Sequence, residues 1–203
     1  MDALLEKTLR EVARFYDARK VGEVGPLGFR RSTDLTVLLA CLELLIHEEI
    51  IIPHKTRFLD LGCADGRVNL FLSYLTAQSV GIELDEWTLD EYAPLKRAVV
   101  ASLKQQGLLM PKDNISLFHG DSLDDATHEK MARDTGLGFD DFDVYYTFLV
   151  MHDEFAKLVA EKGKPGAIFI TYGLNKVFPK HPGLTFLDQL SPMQDALAIY
   201  QKI

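Results

Sequence analysis

Three carboxylates in the middle of the chain lie in or next to apolar runs that resemble buried strands. Asp60 lies in the run R-F-L-D-L, Glu83 closes the run S-V-G-I-E, and Asp121 follows S-L-F-H-G. An ionised carboxylate only accepts hydrogen bonds, so these residues suit a ligand that carries hydroxyl or amino groups. Because the carboxyl ends of parallel strands meet at one edge of a sheet, we expect the three residues to contact the same ligand.

The turn G-C-A-D-G at 62–66 separates the first of these strands from a predicted amphipathic helix. Small residues let the backbone approach a ligand closely, and the helix that follows directs its first N–H groups to the same place. Glu83 comes 21 positions after Gly62. That spacing suits a carboxylate that binds ribose hydroxyls, so the segment predicts a nucleotide site.

The elements that must position these residues alternate between strand and helix. Strands are predicted at 57–61, 79–83, 115–118, 143–148 and 167–172, and helices at 66–76, 88–106 and 152–161, with one short helix inside 121–141. Alternation of this kind indicates a parallel sheet that is covered by helices on both faces.

The N-terminal part of the chain precedes this pattern. Residues 2–20 form a predicted amphipathic helix, the segment 22–28 interrupts it, and a second helix capped within 32–34 runs to about His47. The two helices are predicted either to close over the ligand or to cover the sheet. Arg30 and Arg31, which lie between the two helices, form a hypothetical contact for an acidic substrate or for the carboxylate of the ligand.

The C-terminal part contains two strand-like runs, 184–190 and 196–203, joined by a Ser-Pro turn at 191–192. A closing hairpin of this kind would add antiparallel strands to the parallel sheet. No internal repeat or low-complexity segment is found.

Composition narrows the class of protein. The chain has 203 residues, a net charge of −8 and a pI near 5.2. This charge disfavours a general nucleic-acid binder. The two cysteines, Cys41 and Cys63, predict neither a disulfide framework nor a zinc site, and no metal is expected. There is no signal-peptide pattern and no apolar run long enough for a membrane helix, so a cytoplasmic protein without a membrane partner is predicted.

A dinucleotide-binding turn would require glycine at the first, third and sixth positions. These positions hold Gly62, Ala64 and Arg67. Arg67 is too large for the third role, so the pattern disfavours a nicotinamide-dependent oxidoreductase.

The segment D-L-G-C-A-D-G-R resembles motif I of class I S-adenosylmethionine-dependent methyltransferases. Further likenesses follow in the family's order: V-G-I-E at 80–83, H-G-D-S at 119–122, F-D-V-Y-Y-T at 142–147, K-P-G-A at 164–167 and the terminal hairpin. The resemblance implies a three-layer, doubly wound, seven-stranded and mostly parallel α/β sheet with an antiparallel C-terminal hairpin. It implies a methyltransferase domain at 51–203 behind a helical extension at 1–50.

The same resemblance implies roles for individual residues. Asp60 and the turn would hold the methionine portion of the cofactor, Glu83 the ribose hydroxyls and Asp121 the adenine amino group. Leu84 would pack on the adenine ring, Ser122 would offer its backbone N–H, and the end of the fourth strand would face the transferred methyl group. The implied cofactor-binding residues are Asp60, Gly62, Cys63, Ala64, Asp65, Gly66, Glu83, Leu84, Asp121, Ser122, Thr147 and Phe148.

The expected activity is methyl transfer from S-adenosylmethionine to an unidentified acceptor, with a protein lysine or a small molecule preferred to nucleic acid. The segment G-I-E-L-D is similar to one in seven-stranded protein lysine methyltransferases. Tyr146 is the first candidate to assist catalysis, ahead of Tyr145, His152 and Asp153, although tyrosines on a strand more often fill the core. Ala64 stands where the family usually has glycine. That departure favours the alternative, a non-catalytic binding or scaffold protein of the same fold.

Overall fold

The computed structural model describes residues 1–19, 21–25, 28–30, 32–173, 178–191 and 193–203, and for 21–25 and 28–30 it describes the backbone alone. The strands are β1 (Val21–Gly25), β2 (Gly28–Arg30), β3 (Arg57–Leu61), β4 (Gln78–Glu83), β5 (Ile115–His119), β6 (Val144–Phe148), β7 (Ile168–Tyr172), β8 (Leu184–Phe186) and β9 (Leu197–Lys202). The helices are α1 (Ala3–Asp17), α2 (Leu35–His47), α3 (Arg67–Leu72), α4 (Glu86–Asp90), α5 (Tyr92–Gln105), α6 (Asp125–Thr135) and α7 (His152–Lys162), with a 3₁₀ turn at Phe139–Asp141.

Seven strands form one sheet in the order β5-β4-β3-β6-β7-β9-β8. Strands β3 to β7 pair in parallel, whereas β9 runs antiparallel to both β7 and β8. The predicted fold class is therefore confirmed. The chain moves outward in one direction from β3 to β5 and then returns to place β6 on the other side of β3, so a crevice opens between the carboxyl ends of β3 and β6.

The two faces of the sheet are buried in different clusters. Phe58 and Tyr146 face the cluster that includes residues of α1, α2, α3 and α5, whereas Leu59 and Tyr145 face the cluster with α6 and α7. Neighbouring side chains on a strand point to opposite faces, and both faces are covered, which explains the nearly continuous apolar runs of the strands.

Aspartate caps begin several of the helices. Asp2 accepts a hydrogen bond from the Leu5 N–H, and Asp34 accepts one from the Val37 N–H. Each cap satisfies an N–H group that has no partner within its own helix and contributes about 1 kcal/mol. The α2 cap lies where the sequence predicts it, within 32–34.

Three predicted elements were wrong in extent. The helix predicted at 88–106 is two helices, α4 and α5, because Pro94 has no N–H to donate to the carbonyl of Asp90. The helix predicted at 66–76 ends at Leu72 and is followed by a turn in which the Leu75 N–H donates to the carbonyl of Leu72, three residues back, at 2.9 Å. The strand predicted at 184–190 ends at Phe186, where a turn begins.

The segment between the two N-terminal helices contains an antiparallel pair, β1 and β2, where the sequence predicted only an interruption. The hypothesis about Arg30 and Arg31 concerns side chains outside the described part of the chain. The predicted turn at 191–192 includes Pro192, which also lies outside it. Among the residues that are described, no helix has the length and apolar character needed to cross a bilayer.

Candidate cofactor-binding site

A cavity of about 850 Å³ opens at the carboxyl ends of β3, β4 and β6. It is lined by all of the predicted cofactor-binding residues except Asp65 and Gly66, and also by Tyr146. The topology accounts for this meeting of distant segments, because parallel pairing brings the ends of these strands to one edge of the sheet.

The turn after β3 is held by backbone hydrogen bonds to the neighbouring strand. The N–H groups of Gly62 and Cys63 both donate to the Ile82 carbonyl at 2.9 Å. Gly66 has a φ of +69°, and a Cβ added there would lie 2.7 Å from side-chain atoms of Leu117 and Tyr92. Glycine is thus required at this position by both conformation and space.

Ala64 also adopts a left-handed conformation, with a φ of +49°. For a residue with a Cβ this conformation costs roughly 1 kcal/mol. Its N–H donates to Oε2 of Glu83 at 2.9 Å. Ala64 therefore takes a conformation that glycine adopts more easily, and its N–H joins the turn to β4.

Glu83 joins two loops of the cavity. Its Oε2 accepts from the Ala64 N–H and its Oε1 accepts from the Asp85 N–H, both at 2.9 Å. Each carboxylate oxygen has a second lone pair, so both can still accept a hydrogen bond from a ligand. Glu83 can consequently accept a further hydrogen bond on each of its two oxygens.

Asp60 lies on the cavity wall and is only 2% exposed. Within the described part of the chain, no group donates a hydrogen bond to its carboxylate. Burial, together with the nearby carboxylates of Glu83 and Asp65, raises the pKa of Asp60 well above its ordinary value. A buried acid without a partner is expensive to ionise, so the site would be stabilised by a cationic ligand group.

Asp65 points away from the cavity. Its carboxylate forms a buried, two-pronged ion pair with Arg67, with Nε to Oδ1 at 3.0 Å and Nη2 to Oδ2 at 2.9 Å. Arg67 also donates to Oγ of Ser32 at 2.8 Å, and its guanidinium carbon lies 5.5 Å from the centre of the Tyr16 ring. The side chain of Asp65 thus fastens the turn to the N-terminal helices, and only its backbone remains for the predicted ligand role.

The end of β5 lies next to Glu83, because the Gly120 N–H donates to the Glu83 carbonyl at 3.0 Å. Asp121 is exposed, and its Oδ1 accepts from the Leu123 N–H at 2.9 Å. The carbonyl of the buried Ser122 accepts from Nε2 of His128 at 2.9 Å. These contacts fix the loop and leave the second oxygen of Asp121 open to solvent or ligand.

The end of β6 forms the opposite wall. Oγ1 of Thr147 donates to the Leu61 carbonyl at 3.0 Å, which joins β6 to β3, and the Phe148 ring stacks on Tyr172 with centroids 5.5 Å apart. The hydroxyl of Tyr146 lies 2.6 Å from Oγ1 of Thr33, and burial raises the pKa of this phenol well above its ordinary range. Tyr146 therefore stays protonated, which disfavours a role as a base.

The other candidates for catalysis lie elsewhere. The Tyr145 hydroxyl donates to the Phe139 carbonyl on the opposite face of the sheet. His152 and Asp153 begin α7 immediately after the cavity-lining Met151 but are not themselves part of the lining.

Several lining residues were missed by the sequence reasoning. Ser32 and Thr33 line the cavity from the N-terminal segment, and Val150 and Met151 line it from the loop after β6. Ser32 and Thr33 were predicted as helix caps, but the sequence does not indicate which distant strand they contact. For Val150 and Met151, the sequence offers one indication, the apolar character of two consecutive residues shortly after β6.

No family model matches the chain, and no curated protein matches it. Among solved structures, the chain is similar to the tRNA (m1A58) methyltransferase TrmI from Aquifex aeolicus, with a TM-score of 0.54 and 15% identity over 96% of this chain and 76% of that one. It is also similar to yhhF from Escherichia coli, whose assignment as a methyltransferase is provisional, with a TM-score of 0.51 and 15% identity over 91% of this chain and 98% of that one.

These likenesses define the fold. The chain has the seven-stranded α/β fold of class I methyltransferases, and the fold implied by its resemblance to that family is confirmed.

Proposed function

We propose that this protein is an S-adenosylmethionine-dependent methyltransferase. The observation that carries the proposal is the meeting of three features in one cavity. They are the left-handed turn after β3, Glu83 with its two backbone hydrogen bonds, and Asp60, whose carboxylate accepts no hydrogen bond from the described residues. Their order along the chain matches the resemblance noted in the sequence, and the likeness of fold supports it.

The residues present fit this cofactor. Glu83 has one free lone pair on each oxygen for the two ribose hydroxyls. Asp60 is buried and accepts no hydrogen bond from the described residues, which suits the cationic groups of the methionine portion. Leu84 and Asp121 both line the cavity, and they would pack on the adenine ring and accept from its amino group, respectively.

The cofactor supplies a methyl group on a sulfonium, which is already activated for displacement. The chain contributes by holding the acceptor in line and by excluding water. Thr147 and Phe148 would form the wall beside the reacting atoms. Tyr146, as a protonated phenol tied to Thr33, would position the acceptor or the wall and would not remove a proton.

The charge of the cavity supports an amine or neutral acceptor. Among the described residues that line it, Asp60, Glu83 and Asp121 carry carboxyl groups, and the cation, Arg67, is already paired with Asp65. A protein lysine or a small molecule is therefore preferred to a polyanion such as RNA. An RNA acceptor is the second candidate, because one protein of similar fold is a tRNA methyltransferase.

Calorimetry with S-adenosylmethionine and with its demethylated product tests the cofactor. We expect binding that Glu83→Gln weakens by about tenfold or more, since a hydrogen bond to a charged group contributes about 1.5–3 kcal/mol. Glu86→Gln is the matched control, because Glu86 is an exposed acid three residues further on that does not line the cavity. Absence of binding at high micromolar concentration by the folded protein would refute the proposal.

Turnover is tested separately with labelled cofactor and a panel of lysine peptides, small amines and tRNA. Methyl transfer to the amines or peptides is the expected result. Transfer to tRNA alone would overturn the preferred acceptor class. Tight cofactor binding with no transfer to any acceptor would favour the non-catalytic alternative.

A further inference from the structure

Two histidines and an aspartate from separate segments meet beside the cavity. His152 and Asp153 are the first residues of α7, and His181 lies in the segment between β7 and β8. The ligand atoms of the three side chains lie within 4.8 Å of one another. We infer that these residues form a binding site for a divalent transition-metal ion, with Zn²⁺ as the best match.

The spacing of the atoms agrees with metal ligation. Oδ1 of Asp153 lies 3.2 Å from Nδ1 of His152 and 3.5 Å from Nδ1 of His181. In a tetrahedral zinc site, bonds of about 2.0–2.1 Å separate neighbouring ligand atoms by roughly 3.4 Å. These two distances lie on either side of that value, and the ligand atoms of the two histidines lie within 4.8 Å of each other.

The contacts are not ordinary hydrogen bonds. Nδ1 of His152 is buried and has no hydrogen-bond partner among the described residues, although the aspartate oxygen is only 3.2 Å away. The oxygen therefore lies off the axis along which the ring nitrogen would donate. An ion on that axis, with the oxygen beside it, would satisfy both groups.

His181 supplies a buried ligand to the cluster. Its side chain is 4% exposed, and its Nδ1 is the ring nitrogen that lies 3.5 Å from Oδ1 of Asp153. Its other ring nitrogen, Nε2, is buried and has no hydrogen-bond partner in the described part of the chain. A neutral imidazole has one N–H and one lone pair, so Nδ1 of His181 can offer the lone pair that a metal requires.

The surroundings hold this histidine in place and leave a route for the ion. The His181 ring packs edge-on against Tyr200, with centroids 4.8 Å apart, and the Tyr200 hydroxyl donates to the Pro179 carbonyl at 3.1 Å. Asp153 is 70% exposed, so the site is reached from solvent. Two imidazoles and one carboxylate form a set that zinc favours, with a fourth position for water.

The position of the site suggests its effect. His152 follows Met151, which lines the cavity, so an ion held here would fasten the start of α7 to the segment between β7 and β8. This inference does not depend on the proposed methyl transfer. The expected consequence of metal binding is that the cavity wall next to the start of α7 becomes more rigid.

The test uses the full chain without an affinity tag, titrated with Zn²⁺ and, separately, with Co²⁺. We expect one ion per chain after gel filtration, a visible Co²⁺ spectrum with the intensity of a tetrahedral or five-coordinate site, and a higher melting temperature when Zn²⁺ is present. His181→Ala and Asp153→Asn should each weaken binding by about tenfold or more and remove the metal-dependent rise in melting temperature.

His47→Ala is the matched control. His47 is an exposed histidine whose Nε2 lies 3.8 Å from Oε1 of Glu48, and within the described part of the chain it belongs to no group of three possible metal ligands. Its replacement should leave the bound metal unchanged. Circular dichroism of each metal-free variant establishes that it is folded. Failure of the folded wild-type chain to bind Zn²⁺, or equal binding by His181→Ala, would overturn the inference.

Discussion

The two walls of the cavity are built in different ways. On the β4 wall, backbone N–H groups from both neighbouring loops donate to Glu83. On the β6 wall, Val150 is 67% exposed and Met151 has a left-handed backbone with a φ of +55°. A wall whose polar groups are fixed by backbone hydrogen bonds suits one invariable ligand. An exposed apolar wall suits a partner that covers it, so we expect cofactor binding on the first and acceptor binding on the second.

The largest effect is expected where the β3 turn joins the N-terminal helices. Arg67→Met leaves the buried carboxylate of Asp65 without its partner, which should lower the free energy of unfolding by about 3–5 kcal/mol. The combined change with Asp65→Asn should recover much of that loss, because it removes the uncompensated charge. Urea unfolding of the single and double variants measures the loss of unfolding free energy and its recovery. If the double variant is no more stable than Arg67→Met, the ion pair is not the cause.

Asp60 should show opposite effects on stability and on binding. Because its pKa is raised in the folded chain, ionisation destabilises the fold as pH rises between the ordinary carboxyl pKa and the raised one. Asp60→Asn should therefore keep or increase the unfolding free energy at neutral pH. It should weaken S-adenosylmethionine binding by about tenfold or more, through loss of a charged contact.

The pH dependence sharpens this prediction. A cationic ligand favours the ionised acid, so affinity of the unchanged protein should rise as Asp60 ionises with increasing pH. Calorimetry across the pH range should show that rise, and Asp60→Asn should flatten it. A variant that loses stability and affinity together would indicate a structural role for Asp60.

Leu84 and Val150 offer a matched comparison of the two walls. Both are apolar cavity-lining residues of similar exposure, at 64% and 67%. Leu84→Ala should weaken cofactor binding by about fivefold, equivalent to roughly 1 kcal/mol of lost apolar contact. Val150→Ala should leave it unchanged. Equal losses in calorimetry would mean that the cofactor contacts both walls.

The sequence was sufficient for the parts of the site that depend on strand order. The carboxyl ends of parallel strands lie at one edge of the sheet, irrespective of which helices cover its faces. Asp60, Glu83 and Asp121 could therefore be grouped from periodicity and family resemblance alone. The break between α4 and α5 could also have been predicted from the sequence, because Pro94 has no N–H to donate.

The remaining features depend on contacts between distant segments. Asp65 could be assigned to the turn, but its partner Arg67 is fixed by Tyr16 and Ser32 from the N-terminal segment. Likewise, nothing in the local sequence brings His181 to Asp153. Tertiary packing decides which of several possible partners a polar side chain meets, and periodicity contains no information about that choice.

The smallest effect is expected at Ala64, and it tests whether the departure from glycine matters. Ala64→Gly removes a left-handed strain of roughly 1 kcal/mol but increases the freedom of the unfolded chain by nearly as much, so the free energy of unfolding should change by less than about 1 kcal/mol. The Ala64 N–H already donates to Glu83, so the turn is formed before the ligand arrives, and cofactor affinity should change by less than about fivefold. Urea unfolding and calorimetry measure the two quantities. A much larger gain in affinity would show that the methyl group of Ala64 obstructs the ligand, and the β4 wall would then be imperfectly adapted to the cofactor.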